Sequence, residues 1–352
     1  MLADGNSPVV PFTITVSARA LFDLEESHEV FEKEGLEAFE KYQQDREHVP
    51  LEPGPVFPLV KKLLEFNKVK PEHVRPFEVV LLSRNSTDTA VRVLNSIESL
   101  GLPLIRAVFT GGEPSSTYIE AIGADLFLSS NPLEVAKAVN ETKIAGATVL
   151  AGKRGIEMGS HPTQIRIAFD GDSVLFSDEA ERVYGDGGLE EFQRHEHQHA
   201  LRALQPGPFR GMLEAIHAIQ EAYPKNRCPI RTALITARSM PAHHRAINTL
   251  KEWGVTVDEA MFLGGRNKAP YLKAFKADLF LDDSRRNIDH AIDVVPSGHV
   301  PYGIRNSQEG EGKSFSGNDE VSLVGAPSPA SREAEVIELP VAPARRMAGP
   351  GR

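Results

Sequence analysis

A single cysteine, Cys228, stands among the 352 residues of the chain. An intrachain disulfide and a cysteine-built zinc site are therefore both excluded. Basic residues are in deficit: 39 Lys and Arg against 49 Asp and Glu give a formal net charge of −10. A general nucleic-acid surface needs clustered cations to displace counterions, so no nucleic-acid partner is expected. A small anionic substrate remains admissible where cations or a metal gather locally. No apolar run approaches the roughly 18 residues of a membrane span, and Met1–Pro11 carries neither a basic nor an apolar signal segment. The expectation is a cytoplasmic protein with no membrane partner. Aromatics are sparse at 7%, yet 41% hydrophobic and 25% charged residues make an ordinary globular balance, and the length suits about two domains.

What the chain does have is alternation. Apolar runs at Phe12–Val16, Phe77–Ser83, Leu104–Phe109 and Asp125–Leu128 read as strands. Between them, residues 23–49, Phe57–Asn67, Ala90–Leu100 and Tyr118–Ile122 carry helical spacing. Strands alternating with helices predict a largely parallel α/β sheet. Residues 139–164 read as a connection, after which the pattern returns. At a constant interval of 153 positions, Gly35 meets Gly188, Phe39 meets Phe192, and Pro53–Gly54–Pro55 meets Pro206–Gly207–Pro208. Arg92 likewise meets Arg245, Gly111–Gly112 meets Gly264–Gly265, and Ala124–Leu128 meets Ala277–Leu281. The fold class expected is α/β, with two duplicated Rossmann-type parallel-sheet units at 13–150 and 151–305. Residues 1–12 read as a short tail, and 306–352, rich in Ser, Gly, Pro, Ala and Glu, as a disordered one.

Asp170–Gly171–Asp172 follows the apolar run Ile165–Phe169. Strand alternation starts the two carboxylates on one side, but a bare D-G-D also reads as an acidic turn. The internal comparison weighs against that bland reading. Asp170 meets Ser17, Asp172 meets Arg19, Thr236 meets Ser83, Lys268 meets Ser115, and Asp282–Asp283 meets Ser129–Ser130. The apolar and glycine framework is shared while the charges change as a set, as expected of one site kept only in the second unit. Each group follows a predicted strand, so a parallel sheet gathers them at its carboxyl edge. Three carboxylates together need a cation among them, and an all-oxygen donor set favours Mg²⁺ over zinc. The hydroxyl of Thr236 and the ammonium of Lys268 suit phosphate oxygens. One carboxylate can take a phosphoryl group, and a second can shuttle the proton.

The D-G-D-x-V at 170–174, the strand-end Thr236, the G-G-x-x-K ending at Lys268 and the Asp282–Asp283 pair together resemble the haloacid dehalogenase-like (HAD-like) phosphohydrolases. Phe169–Glu179, Thr236–Ser239 and Val300–Gly303, with Ser17–Phe22 and Pro53–Pro55, more closely resemble the cytosolic 5′-nucleotidase type I family, over about residues 13–305. The resemblance implies two HAD-like units, the second catalytic, and Mg²⁺-dependent hydrolysis of nucleoside 5′-monophosphates, AMP favoured, through an aspartyl-phosphate. By motif it makes Asp170 the nucleophile, Asp172 the acid/base, and Thr236 and Lys268 the phosphate holders. Mg²⁺ would lie on Asp170, the Asp172 carbonyl, and Asp282 or Asp283. Arg238 and Gly265 are candidate substrate contacts. A phosphatase of another small phosphoester, such as a sugar phosphate, and a non-catalytic nucleotide-binding regulator are the competing readings. Base and sugar preference, effector response, the role of the first unit and assembly into a homo-oligomer stay open.

Two further features are weighed. His195, His197 and His199 form H-x-H-x-H, but helical flanks scatter the three around an axis. Residues 184–215 lie where this superfamily inserts its caps, so Phe192 and Leu189 are either core or part of a substrate cover. Glu179 has Glu26 opposite it, which favours a structural role.

Overall fold

The computed structural model describes residues 10–150, 152, 161–224, 227–240 and 242–306, so the expected terminal tails fall almost wholly outside the described residues. The first strand, β1 (Phe12–Val16), is buried along its whole length, as a strand covered on both faces must be. A single turn, α1 (Ala18–Leu21), follows, capped by Ser17, whose hydroxyl accepts from the Ala20 N–H. The charged helices α2 (Glu25–Glu34) and α3 (Leu36–Asp45) are separated by Gly35, whose φ of 86° ends the first. Next comes α4 (Phe57–Val69), which buries Leu59, Val60, Leu63 and Phe66 along one face. The half is completed by β2 (Phe77–Ser83), α5 (Thr87–Ser99), β3 (Arg106–Phe109), α6 (Ser116–Ile122), β4 (Leu126–Ser129), α7 (Pro132–Thr142) and β5 (Ala145–Leu150).

The end of α7 and all of β5 occupy a stretch expected to be a connection. The reason is packing. A Cβ on Gly146 would lie 2.8 Å from the Val139 side chain, so β5 is built from small residues that let α7 close on it. Its Ala-Gly-Ala start carries little apolar signal.

The second half contains β6 (Ile165–Phe169), α8 (Glu179–Gln198), α9 (Arg210–Glu221), β7 (Ile230–Thr236), α10 (His243–Glu252), β8 (Glu259–Phe262), α11 (Ala269–Phe275), β9 (Leu279–Asp282), α12 (Arg285–Ala291) and β10 (Ser297–His299). Helix α8 bends at Gly188, φ 70°, where Gly35 divides α2 from α3. The strands form one ten-stranded sheet in the order β3-β2-β1-β4-β5-β10-β9-β6-β7-β8. Every pairing is parallel except β5 with β10, which joins the halves antiparallel, Gly298 opposite Val149. The carboxyl ends of β6, β7, β8 and β9 therefore open on one edge.

Local hydrogen bonds recur between the halves at the 153 interval, with one break. Ser17 N–H donates to Leu128 O at 2.9 Å and Asp170 N–H to Leu281 O at 2.8 Å. Then Phe22 N–H reaches back four residues to Ala18 O, whereas Phe176 N–H reaches back five to Gly171 O. Gly54 N–H meets Leu21 O, and Gly207 N–H meets Leu175 O, both at 2.8 Å. The turn after Asp170 thus holds one residue more than the turn after Ser17, a π-type turn in place of an α-type one. The gapless register expected from the sequence does not hold here. It is restored by Gly188, which α8 reaches in nine residues where α2 takes ten to Gly35.

The Pro206–Gly207–Pro208 segment clamps this turn. A Cβ on Gly207 would lie 2.4 Å from the carbonyl oxygens of both Val174 and Phe176. Those are backbone atoms and cannot swing aside. Gly207→Ala is therefore expected to cost about 1–3 kcal/mol, the range for overpacking, read as a lower urea midpoint.

Candidate active site

Strand β6 delivers Asp170 to the carboxyl edge of the sheet. Its Oδ1 accepts from Gly171 N–H at 2.6 Å and lies 2.8 Å from Lys268 Nζ. Lys268 opens α11 after the Gly264–Gly265 turn, whose φ values of 58° and 79° are left-handed and favour glycine. That turn docks on the loop after β7, Gly265 N–H donating to Ala237 O at 3.0 Å. Lys268 Nζ also donates to Asp282 Oδ2 at 2.7 Å. Asp282 ends β9. Its Oδ1 accepts from Ser284 N–H at 2.8 Å, and Asn287 Nδ2 reaches both its oxygens at 3.1 Å. Beside it Asp283 is buried, and its Oδ2 has no hydrogen-bond partner among the described residues. One oxygen from each of Asp170, Asp282 and Asp283 lies within 4.8 Å of the others, a cluster able to hold a divalent cation.

The electrostatics follow from burial. Desolvation pushes the Asp170 carboxyl up; the Lys268 ammonium opposes this and Asp282 adds to it, leaving the group at about 8. Asp283 is held well above the usual carboxylate range by burial and by the charges of Glu181, Asp282 and Asp170. Lys268 goes the other way from its own burial: Asp170 and Asp282 outweigh desolvation and keep it cationic. Lys268 and Arg305 thus face these three carboxylates and Glu181, an imbalance that a divalent cation removes.

Thr236, the last residue of β7, is buried against the Asp170 turn; a Cβ on Gly171 would lie 3.2 Å from its hydroxyl. Asp172 does not join this group. The strand stops at Phe169, and Ser173 turns left-handed at φ 61°, so strand alternation no longer applies. The Asp172 carboxylate faces Arg238, accepting from Nε at 2.9 Å and Nη2 at 2.7 Å. Arg238, at 1% side-chain exposure, also pairs with Glu196 of α8. Its charge is spent inside the protein, so the structure does not present it as a substrate contact. Gly265 sits at the exposed rim with open space above it.

Comparison with known proteins decides the class. The 5′-nucleotidase family pattern matches residues 7–307. The chain belongs to the 5′-nucleotidase family. It is also 37% identical over 293 residues to human cytosolic 5′-nucleotidase 1B, covering 81% of this chain and 48% of the human protein. The chain thus spans about half the length of that curated relative.

In this 5′-nucleotidase family member several residues around the carboxylates were not foreseen. Glu196 is one: it accepts from Arg245 Nη1 at 2.8 Å as well as from Arg238. A signal existed, since the residue 153 positions earlier is Gln43. Glu181 is another: it accepts from Ser173 Oγ at 2.9 Å and lies 3.3 Å from Arg305 Nε. Glu179 pairs with Arg245 at 2.9 Å. The Val300–Gly303 segment closes on the same turn, where a Cβ on Gly303 would lie 2.5 Å from Ser173 Oγ. His195 and His197 lie on α8 and His199 ends it, with the rings of His195 and His199 4.2 Å apart. Phe192 is core, whereas Leu189 is 54% exposed. Among the described residues no helix is long and apolar enough to cross a membrane.

Proposed function

We propose that this chain is a cytoplasmic enzyme that hydrolyses nucleoside 5′-monophosphates, AMP first among them, through an aspartyl-phosphate on Asp170. The observation that carries this is Asp170 held 2.8 Å from buried Lys268 beside two further carboxylates, in a member of the 5′-nucleotidase family. The donor set fits Mg²⁺: the ligand atoms are all oxygen, and one buried oxygen of Asp283 lacks any hydrogen-bond donor among the described residues. Asp170, Asp283 and the Asp172 carbonyl would hold the ion. Asp282, whose oxygens already accept from Ser284, Asn287 and Lys268, orients the lysine. Bound Mg²⁺ supplies Lewis-acid polarisation of the phosphoryl oxygens.

The protein's own groups carry the remaining steps. Lys268 and Thr236 hold phosphoryl oxygens. The Asp170 carboxylate attacks phosphorus in line, the P–O5′ bond breaks, and Asp172 gives its proton to the departing O5′. Asp172 then takes a proton from water as the water oxygen attacks the same phosphorus. Inorganic phosphate leaves and the Asp170 carboxylate returns.

The halves 13–150 and 151–305 are read as copies, the second catalytic. Strand order 3-2-1-4-5 on one side and 8-7-6-9-10 on the other supports this. In the first copy Ser17 accepts backbone N–H groups and Ser115 donates to Glu134 at 3.0 Å, so hydroxyls stand where the second copy has the Asp170 carboxyl and the Lys268 ammonium.

The test is phosphate release from nucleoside monophosphates and sugar phosphates, with Mg²⁺ and with a chelator. AMP should be cleaved with Mg²⁺ only, and Asp283→Asn should abolish this. The same variant should raise the melting temperature of the metal-free protein by a few degrees, because the cost of burying an acid beside Glu181, Asp282 and Asp170 is gone. Release from sugar phosphates alone, or from no nucleotide, would overturn the reading.

A further inference from the structure

We propose that Glu196 is a positioning residue that fixes the Asp172 carboxylate through Arg238. The inference rests on the reading that Asp172 carries the proton in the proposed reaction.

The chain of contacts is short and buried. Arg238 grips both oxygens of Asp172 at 2.7 and 2.9 Å, and its remaining terminal nitrogen, Nη1, is taken by Glu196 Oε2. The side chains of Arg238 and Glu196 are 1% and 0% exposed, so neither can turn to water. A planar guanidinium held on one side by Glu196 has its other side aimed in a fixed direction. Asp172 sits on a turn with an inserted residue and a left-handed neighbour, where the backbone alone imposes no strand-like direction on it. The Arg238 fork supplies that direction.

A buried ion pair of this kind is more often a part of the fold, and the other half of the molecule tests that alternative. Arg245 Nη1 donates to Glu196 Oε1 at 2.8 Å, and 153 positions earlier Arg92 Nη1 donates to Gln43 Oε1 at 3.1 Å. Arg245 Nε donates to Arg202 O at 2.9 Å, and Arg92 Nε to Val49 O at 3.0 Å. Thr249 Oγ1 accepts from Leu204 N–H, and Ser96 Oγ accepts from Leu51 N–H, both at 2.9 Å. The scaffold bond is therefore made in both halves, and a neutral glutamine makes it as well as a glutamate. The halves differ in the second terminal atom. Glu196 Oε2 reaches Arg238, whereas Gln43 Nε2 is buried with no partner among the described residues. Asn85 stands at the position of Arg238, and Arg19 at that of Asp172. Asp172, Arg238 and the charge of Glu196 are present together or absent together. The fold needs Oε1; the site needs Oε2.

Glu196→Gln keeps the Oε1 bond that Gln43 also makes but sets a neutral amide against Arg238 in place of the charge, and so separates the two roles. It should stay folded and keep its near-ultraviolet circular dichroism while melting several degrees lower, because buried Arg238 loses one of its two carboxylate partners. Its kcat for nucleotide hydrolysis should fall about 10–100-fold, the usual effect of losing an outer-shell partner, with KM within about twofold. Arg238→Lys, which keeps the charge but loses the fork, should fall similarly. The double variant should match the worse single rather than the product of the two, since both act on Asp172 by one route. Wild-type kcat in Glu196→Gln, multiplying losses in the double variant, or failure of Glu196→Gln to fold would each overturn the proposal. Wild type and Asp172→Asn are run beside them. An inactive Asp172→Asn with an unaffected Glu196→Gln sinks this inference alone, whereas a wild type that releases no phosphate from nucleotides sinks the reaction itself.

Discussion

Asp170→Asn is expected to lower kcat by at least about 10⁴-fold while leaving the protein folded, since removing a nucleophile commonly costs that much or more. The substitution is nearly isosteric. The amide oxygen can still accept from Gly171 N–H and from Lys268, the two donors that now meet Oδ1 at 2.6 and 2.8 Å. What disappears is the carboxyl group proposed as the nucleophile and one of three clustered acidic groups. In the wild type, burial and the Asp282 charge push this carboxyl up to about 8 against the pull of Lys268, so the metal-free cluster disfavours its ionised form. The variant should therefore melt no lower than the wild type without metal, and should gain less from added Mg²⁺. Phosphate release and thermal melts measure the two halves of this expectation. A variant within tenfold of wild-type kcat would put the nucleophile elsewhere. A variant that is inactive because it has unfolded would show Asp170 to be structural first.

Much of this site could be read before any coordinates, for a physical reason. Residues that serve packing recur at the 153 interval because both halves bury the same surfaces. Residues that serve the carboxylate cluster change together because the cluster exists once. That contrast picks out Asp170, Thr236, Lys268, Asp282 and Asp283, and the structure brings all five to the carboxyl edge of one sheet. The same contrast was available for Glu196 against Gln43 but is easily passed over, because glutamate on a charged helix such as α8 looks solvated. Strand β5 was hidden because close packing of α7 demands alanine and glycine, which carry little apolar signal. The direction of Asp172 was hidden by an inserted residue whose effect on register is cancelled before Gly188. An insertion compensated within one helix leaves every later pairing in step, so a fixed-interval comparison passes straight over it.

Lys268→Met carries the second large effect, and it falls on stability and turnover together. Lys268 is 2% exposed and is the cation within bonding distance of both Asp170 and Asp282. Methionine fills a similar volume, so the loss is one of charge rather than of packing. Breaking a buried pair by removing one partner costs about 3–5 kcal/mol, because the other charge stays buried without compensation. Here two carboxylates lose their counter-ion beside a third, Asp283, that has no donor on Oδ2. The metal-free variant should lose at least that much in a urea melt. Saturating Mg²⁺ should restore part of the stability, since it returns positive charge to Asp170 and to the cluster beside Asp282. It should not restore turnover, because the ammonium proposed to hold the phosphoryl oxygens is still missing; a kcat loss on the order of 10³-fold is expected with Mg²⁺ present. Adding Asp282→Asn to Lys268→Met separates the two terms again. With one of the two stranded carboxylates neutralised, part of the stability should return without metal, while kcat stays at the level of the single variant. If turnover returned with stability, Lys268 would be holding the fold and not the phosphate.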